Sequence, residues 1–126
     1  MTEITISKTR TERVVPKYDL EERTYKFALS VAILSKKFPK NTSNIEYVRQ
    51  LIRASSSIGA NYIEANEALS KKDFLMRIKI CRKEAKESAY WLSLLVDTNS
   101  EDLRGEVMVL RGEAIEFKKI FSSILK

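Results

Sequence analysis

Two kinds of residue in this chain could do chemistry: carboxylates one helical turn apart, Glu64 with Glu67 and Glu84 with Glu87, and a run of cations comprising Lys72, Lys79, Arg82, Lys83 and Lys86. Paired carboxylates can share a proton and so work as acid and base. In a chain with 23 Lys and Arg, however, they read as ion-pair partners. The lone cysteine, Cys81, has no imidazole to activate it, because the sequence contains no histidine. That absence also excludes a Ser-His-Asp triad, an imidazole metal site and the Glu-x-x-His pairs of di-iron bundles. The expectation is a protein that is not an enzyme, with no cofactor and no metal, in which Cys81 is an inert buried thiol.

The cations have a different use. On a helix, Lys72, Lys79, Lys83 and Lys86 share the outward face with Arg82 beside them, and Lys71 and Arg77 lie near enough to contribute. Residues 71–98 hold seven Lys and Arg against four Asp and Glu, whereas residues 99–126 hold five of each. With a formal net charge of +6, this stripe is the electrostatic footprint of a protein that binds RNA or DNA, because each phosphate contact releases counterions. The plainer reading of the same stripe is a solvated helix face.

The elements that must position these residues are helices. From Gln50 to Leu95 the pattern predicts two long helices meeting at a break near Leu69–Ser70. In the second, Phe74, Ile78, Cys81, Ala85, Ser88, Leu92 and Leu95 alternate steps of four and three, which keeps one seam on a partner helix. The first has Leu51, Ser55, Ile58, Tyr62, Ala65 and Leu69 on its best stripe, and Gly59 in its middle. Glycine there is unfavourable by about 1 kcal/mol against alanine, so close approach of another helix is its expected reason. Arg53, Asn61 and Glu64, with Glu67, form a polar set on this helix that would fix helix register or a subunit interface if buried, or serve recognition if exposed.

Helix 1 is expected from Asp19 to Phe38, with Leu20, Thr24, Phe27, Val31, Leu34 and Phe38 on its seam and Pro39 closing it. Ser43-Asn44-Ile45-Glu46 reads as a capping box for helix 2, Ser70-Lys71-Lys72-Asp73 as a weaker one for helix 3, and Ser100 opens helix 4. Helix 4 carries Leu103, Val107, Leu110, Ala114, Phe117, Phe121 and Ile124. Short connections force antiparallel neighbours, so the fold is all-α, an up-down-up-down four-helix bundle over residues 18–126. Residues 1–17, with Pro16 blocking a backward helix, read as a short flexible N-terminal arm. No membrane-spanning run or signal-peptide core is present in the sequence, and a cytoplasmic location is expected.

Apolar residues are left over once the seams face inward. Helix 1 keeps Tyr25, Leu29, Ala32 and Ile33 as a second stripe, helix 3 keeps Leu75, Met76, Ile80 and Tyr90, and helix 4 keeps Met108, Val109 and Ile115. Such stripes predict self-association, with Tyr25, Leu29, Ile33, Leu75 and Ile80 in the oligomer interface. The stretch QLIRASSSIGANYIEA followed by KKDFLMRIKICRKEAKES resembles the four-helix-bundle proteins encoded within intervening sequences of bacterial large-subunit ribosomal RNA genes. That family is similar in turn to the accessory protein of diversity-generating retroelements. The likeness runs from about Tyr18 to the C-terminus, and departs where many members carry Gly and this chain has Glu64-Ala65-Asn66-Glu67. The resemblance implies a homopentamer, which spacing alone does not. It leaves two functions open: binding of structured RNA or a ribonucleoprotein through the basic face, or an adaptor whose outer apolar stripes recruit a partner protein such as a reverse transcriptase.

Overall fold

Asn41 and Ser70 decide where the two central helices begin. Asn41 has an extended backbone, and its side-chain oxygen accepts the Asn44 backbone N–H at 2.9 Å, so α2 spans Thr42–Asn66. Ser70 does the same for Asp73 at 3.1 Å, and α3 spans Lys71–Thr98. The computed structural model describes residues 17–126, with side chains from Asp19 onward. The N-terminal arm expected over 1–17 lies outside the described residues apart from Lys17, which opens α1 (Lys17–Ser35). A single 3-10 turn, Glu101–Leu103, leads into α4 (Arg104–Ile124).

Three local expectations are corrected. The capping box at Ser43 is not formed: Asn41 caps α2 two residues earlier, Ser43 donates to the Asn41 side chain at 3.2 Å, and the Glu46 carboxylate takes Arg49 and Gln50 instead. Helix α1 stops at Ser35 rather than Phe38. The residue before a proline avoids helical backbone, and the last turn tightens through Lys36 and Lys37 N–H groups donating to Ile33 and Leu34. Leu69, placed on a seam by periodicity, falls beyond the end of α2 and is 98% exposed.

The rest of the seams face the core, with Phe74, Leu103, Leu110 and Ile124 half-buried against it. Leu20, Thr24, Phe27, Val31, Leu34 and Phe38 of α1 are all buried, as are Ile78, Cys81, Ala85, Ser88, Leu92 and Leu95 of α3. Helix α2 packs on α3 and α3 on α4 along most of their lengths; α1 lies on α2 and meets α4 over a thinner contact, closing an antiparallel four-helix ring. Between the helices Phe27 meets Phe117 edge-on at 5.5 Å, and Tyr62 and Phe121 sit 6.0 Å apart. At one end of the bundle Asn44 and Asn99 bond each other reciprocally at 2.9 Å, while their amide groups also donate to the carbonyls of Pro39 and Leu95. This clasp ties the start of α2 to the end of α3. Among the described residues no helix is long and apolar enough to cross a membrane.

Candidate nucleic-acid interface

The burial of the α3 seam dictates what faces outward. Lys72, Lys79, Lys83 and Lys86 are exposed on the side of α3 opposite the core, and Arg82 is half-buried beside them. They are not equivalent. Lys83 lies 3.7 Å from Glu84 and 3.8 Å from Glu87, so its charge is partly answered within the helix. Lys72, Lys79 and Lys86 have no carboxylate within ion-pair distance among the described residues.

On the flank of α3 that meets α2, the polar set of the sequence divides. Arg53 reaches across to Glu84 at 3.5 Å and Glu87 at 3.0 Å, and Glu84 is buried, with only 6% of its side chain exposed. Asn61 accepts from Arg77 at 2.9 Å and donates to the Ser57 carbonyl. Both therefore tie α2 to α3. Gly59 faces the other way, toward α1, where a side chain would meet Thr24. Glu64 is exposed and joins none of these contacts. The carboxylates Glu84 and Glu87 are thus ion-pair partners, and Cys81 is a buried donor to the Ile58 carbonyl whose thiol burial pushes up to about 12. No cluster of three or more Cys, Asp and Glu side chains suited to a metal ion occurs among the described residues.

The flank of α3 that meets α4 holds cations that residue-by-residue reasoning on α3 missed. A groove of about 220 Å³ runs between the helices, with Ala85, Ala89 and Ala114 among its lining and Lys86, Arg111 and Lys118 around it. No carboxylate lines it. Helix α4 is sorted by charge: Arg111 donates to Ser93 of α3 at 2.7 Å, whereas Glu106 and Glu113 point to α1, pairing with Lys37 at 2.5 Å and Arg23 at 2.7 Å. A signal for this was present in the sequence, since Arg104, Arg111 and Lys118 recur every seven residues, as do Glu106 and Glu113.

The apolar stripes lie elsewhere. Tyr25 is 67% and Ile33 54% exposed on the outer face of α1, with Leu29 between them. Ile45, Ile52 and Ile63 of α2, which lie off the stripe that periodicity picks out, are exposed too. By helical spacing they recur on the flank of α2 that carries Gly59 and meets α1. Leu75 and Ile80 of α3 are half-buried.

The family model for the 23S rRNA-intervening sequence protein matches residues 17–123, the whole of the bundle. The chain belongs to that family. Its fold is similar to a crystal structure described as a protein with unknown function from the S23 ribosomal protein family of Bacteroides thetaiotaomicron VPI-5482. The two share 29% identity and a TM-score of 0.72, over 85% of this chain and 98% of that one. Among curated proteins none matches the sequence. The match thus takes in α3, the helix that carries the basic face.

Proposed function

We propose that the protein is a non-enzymatic, oligomeric bundle that binds RNA through the cationic face of α3. The observation that supports this most directly is the set of exposed cations Lys72, Lys79 and Lys86, unanswered by carboxylates among the described residues, on a chain of net charge +6. Phosphate groups are the ligand that such a face attracts without needing a shaped pocket. The family is named for sequences that intervene in 23S rRNA, which makes structured ribosomal RNA the first ligand to test. Assembly through the exposed stripe of Tyr25, Leu29 and Ile33, as a homopentamer or another closed ring, would repeat the face and raise its avidity.

The same stripe supports a second reading, an adaptor that recruits a partner protein. Salt separates them. Binding of labelled ribosomal RNA fragments, followed by fluorescence anisotropy, should weaken steeply between about 50 and 200 mM salt if phosphates carry it. Lys79→Glu with Lys86→Glu should abolish binding across RNA sequences while the bundle keeps its helicity. Undiminished RNA binding by that folded double variant would refute the cationic face, and absence of RNA binding by the wild type would leave the adaptor reading ahead.

A further inference from the structure

The groove between α3 and α4 has a construction that the outward lysines lack. Ala85 and Ala114 are fully buried and Ala89 half-buried, and where helices meet through such short side chains a trough is left between them. Long cations stand around it: Lys86 from α3, Arg111 and Lys118 from α4. The Arg111 Nε donates to Ser93 Oγ at 2.7 Å, which fixes the guanidinium and leaves both terminal nitrogens without a protein partner among the described residues. A planar fork held in this way suits the two unesterified oxygens of a phosphodiester. Beside it stands Tyr90, 58% exposed, its ring held edge-on against Trp91 at 5.1 Å. An exposed aromatic ring next to three cations is the pairing that unpaired bases use, stacking while the backbone is neutralised.

We propose that this groove seats a phosphodiester of a single-stranded RNA segment among Lys86, Arg111 and Lys118, with the adjoining base stacked on Tyr90. The proposal rests on the nucleic-acid reading above and narrows it from RNA in general to its unpaired segments. A duplex keeps its bases within its own stack and could offer the groove phosphates only, so Tyr90 would contribute nothing to it.

The test uses the full chain, with a labelled 15-nucleotide oligouridylate as single strand and an RNA duplex of equal length, both followed by anisotropy. Tyr90→Ala should weaken binding of the single strand about tenfold, the scale of losing one stacked base, and leave the duplex within about twofold, while Tyr90→Phe should retain single-strand binding. Arg111→Gln with Lys118→Gln should weaken the single strand and lower its salt slope by about 0.7, the share of the one phosphate no longer neutralised. Ala89→Leu keeps every charge but fills the trough, so it should weaken the single strand where a purely long-range electrostatic role would predict no change. Circular dichroism and light scattering on each variant establish that it is folded and assembled; should Ala89→Leu fail to fold, the surface variants at Tyr90, Arg111 and Lys118 carry the test. Single-strand affinity unchanged in Tyr90→Ala and in the Arg111/Lys118 variant overturns the groove. If Lys79→Glu, which lies outside the groove, weakens binding of both RNAs in that case, the broader reading stands and only the groove falls. A wild type that binds neither RNA refutes both.

Discussion

Replacing Gly59 by alanine tests the helix-to-helix approach on which the α1–α2 contact depends. In an isolated helix the change is favourable by about 1 kcal/mol. Here the new methyl carbon would sit 2.9 Å from Thr24 Oγ1 and 3.3 Å from Thr24 Cβ. Thr24 cannot easily move aside, since it is fully buried and its hydroxyl donates to the Leu20 carbonyl at 2.8 Å and the Glu21 carbonyl at 3.1 Å. Overpacking of a filled site costs about 1–3 kcal/mol, so the clash should outweigh the propensity gain and leave Gly59→Ala destabilised by up to about 2 kcal/mol. For a domain of this size that lowers Tm by several degrees, roughly 3–5 °C for each kcal/mol. Removing the hydroxyl changes the sign. In a Thr24→Ala background the nearest atom is gone, and Gly59→Ala should be neutral or stabilising. Urea denaturation of the four proteins in a double-mutant cycle should give a coupling of about 1–3 kcal/mol. A Gly59→Ala single variant more stable than wild type, or a coupling near zero, would show that α1 and α2 are not in the contact described.

Other parts of the fold make separate demands. Asn44→Ala removes one acceptor and two donor bonds of a residue only 2% exposed, and should destabilise by about 2–4 kcal/mol in urea melts, against about zero for the exposed Ser43→Ala. Burial raises the Cys81 thiol from its ordinary 9.0 to about 12, so the folded state holds its proton after the unfolded chain has lost it; stability should fall as pH rises from 9 toward 12, by up to about 1.4 kcal/mol per unit. The difference between wild type and Cys81→Ala in denaturation midpoint, measured across that range, isolates this group from the lysines, and its absence would mean that the thiol is solvated. Arg23→Ala breaks a bidentate pair with Glu113 that is about one-third exposed, and should destabilise by about 1 kcal/mol at low salt and less at high salt. Leu29→Glu should dissociate the oligomer in light scattering without loss of helicity, and a wild type that is monomeric at micromolar concentration would remove the interface altogether.

Periodicity carried the fold because the bundle needs only that each helix keep one face apolar, and the steps of four and three reached nearly every buried position, including the polar Thr24 and Ser88. It failed at ends. Asn41 and Ser43 are both good caps by type, and only the extended backbone at Asn41 decides between them. Leu69 was misplaced for a related reason, since a period read through a helix terminus loses its phase. The outward lysines of α3 were legible because one helix defines them. The α3–α4 groove was not: which flank of α4 faces α3 depends on the direction in which the four helices turn around the core, and no single-helix pattern encodes that. For the same reason the two cationic positions in α4 were visible as a repeat but could not be assigned to a surface.

The sorting of charge on α4 also decides which helix comes away most easily. Helix α1 meets α4 thinly, and that seam includes two ion pairs, Lys37–Glu106 and Arg23–Glu113, whose attraction falls as salt rises. The α2–α3 seam carries ion pairs too, from Arg53 to Glu84 and Glu87, but α2–α3 and α3–α4 also pack along most of their lengths and depend on them less. Local opening should therefore begin with α1, and amide exchange in residues 22–33 should quicken with salt ahead of exchange in α3. A helix that opens while its three partners hold together bares Leu20, Phe27 and Val31 as a ready-made insert. A second chain opened at the same place could receive it, making exchange of α1 between copies the route by which this fold would entangle at high concentration.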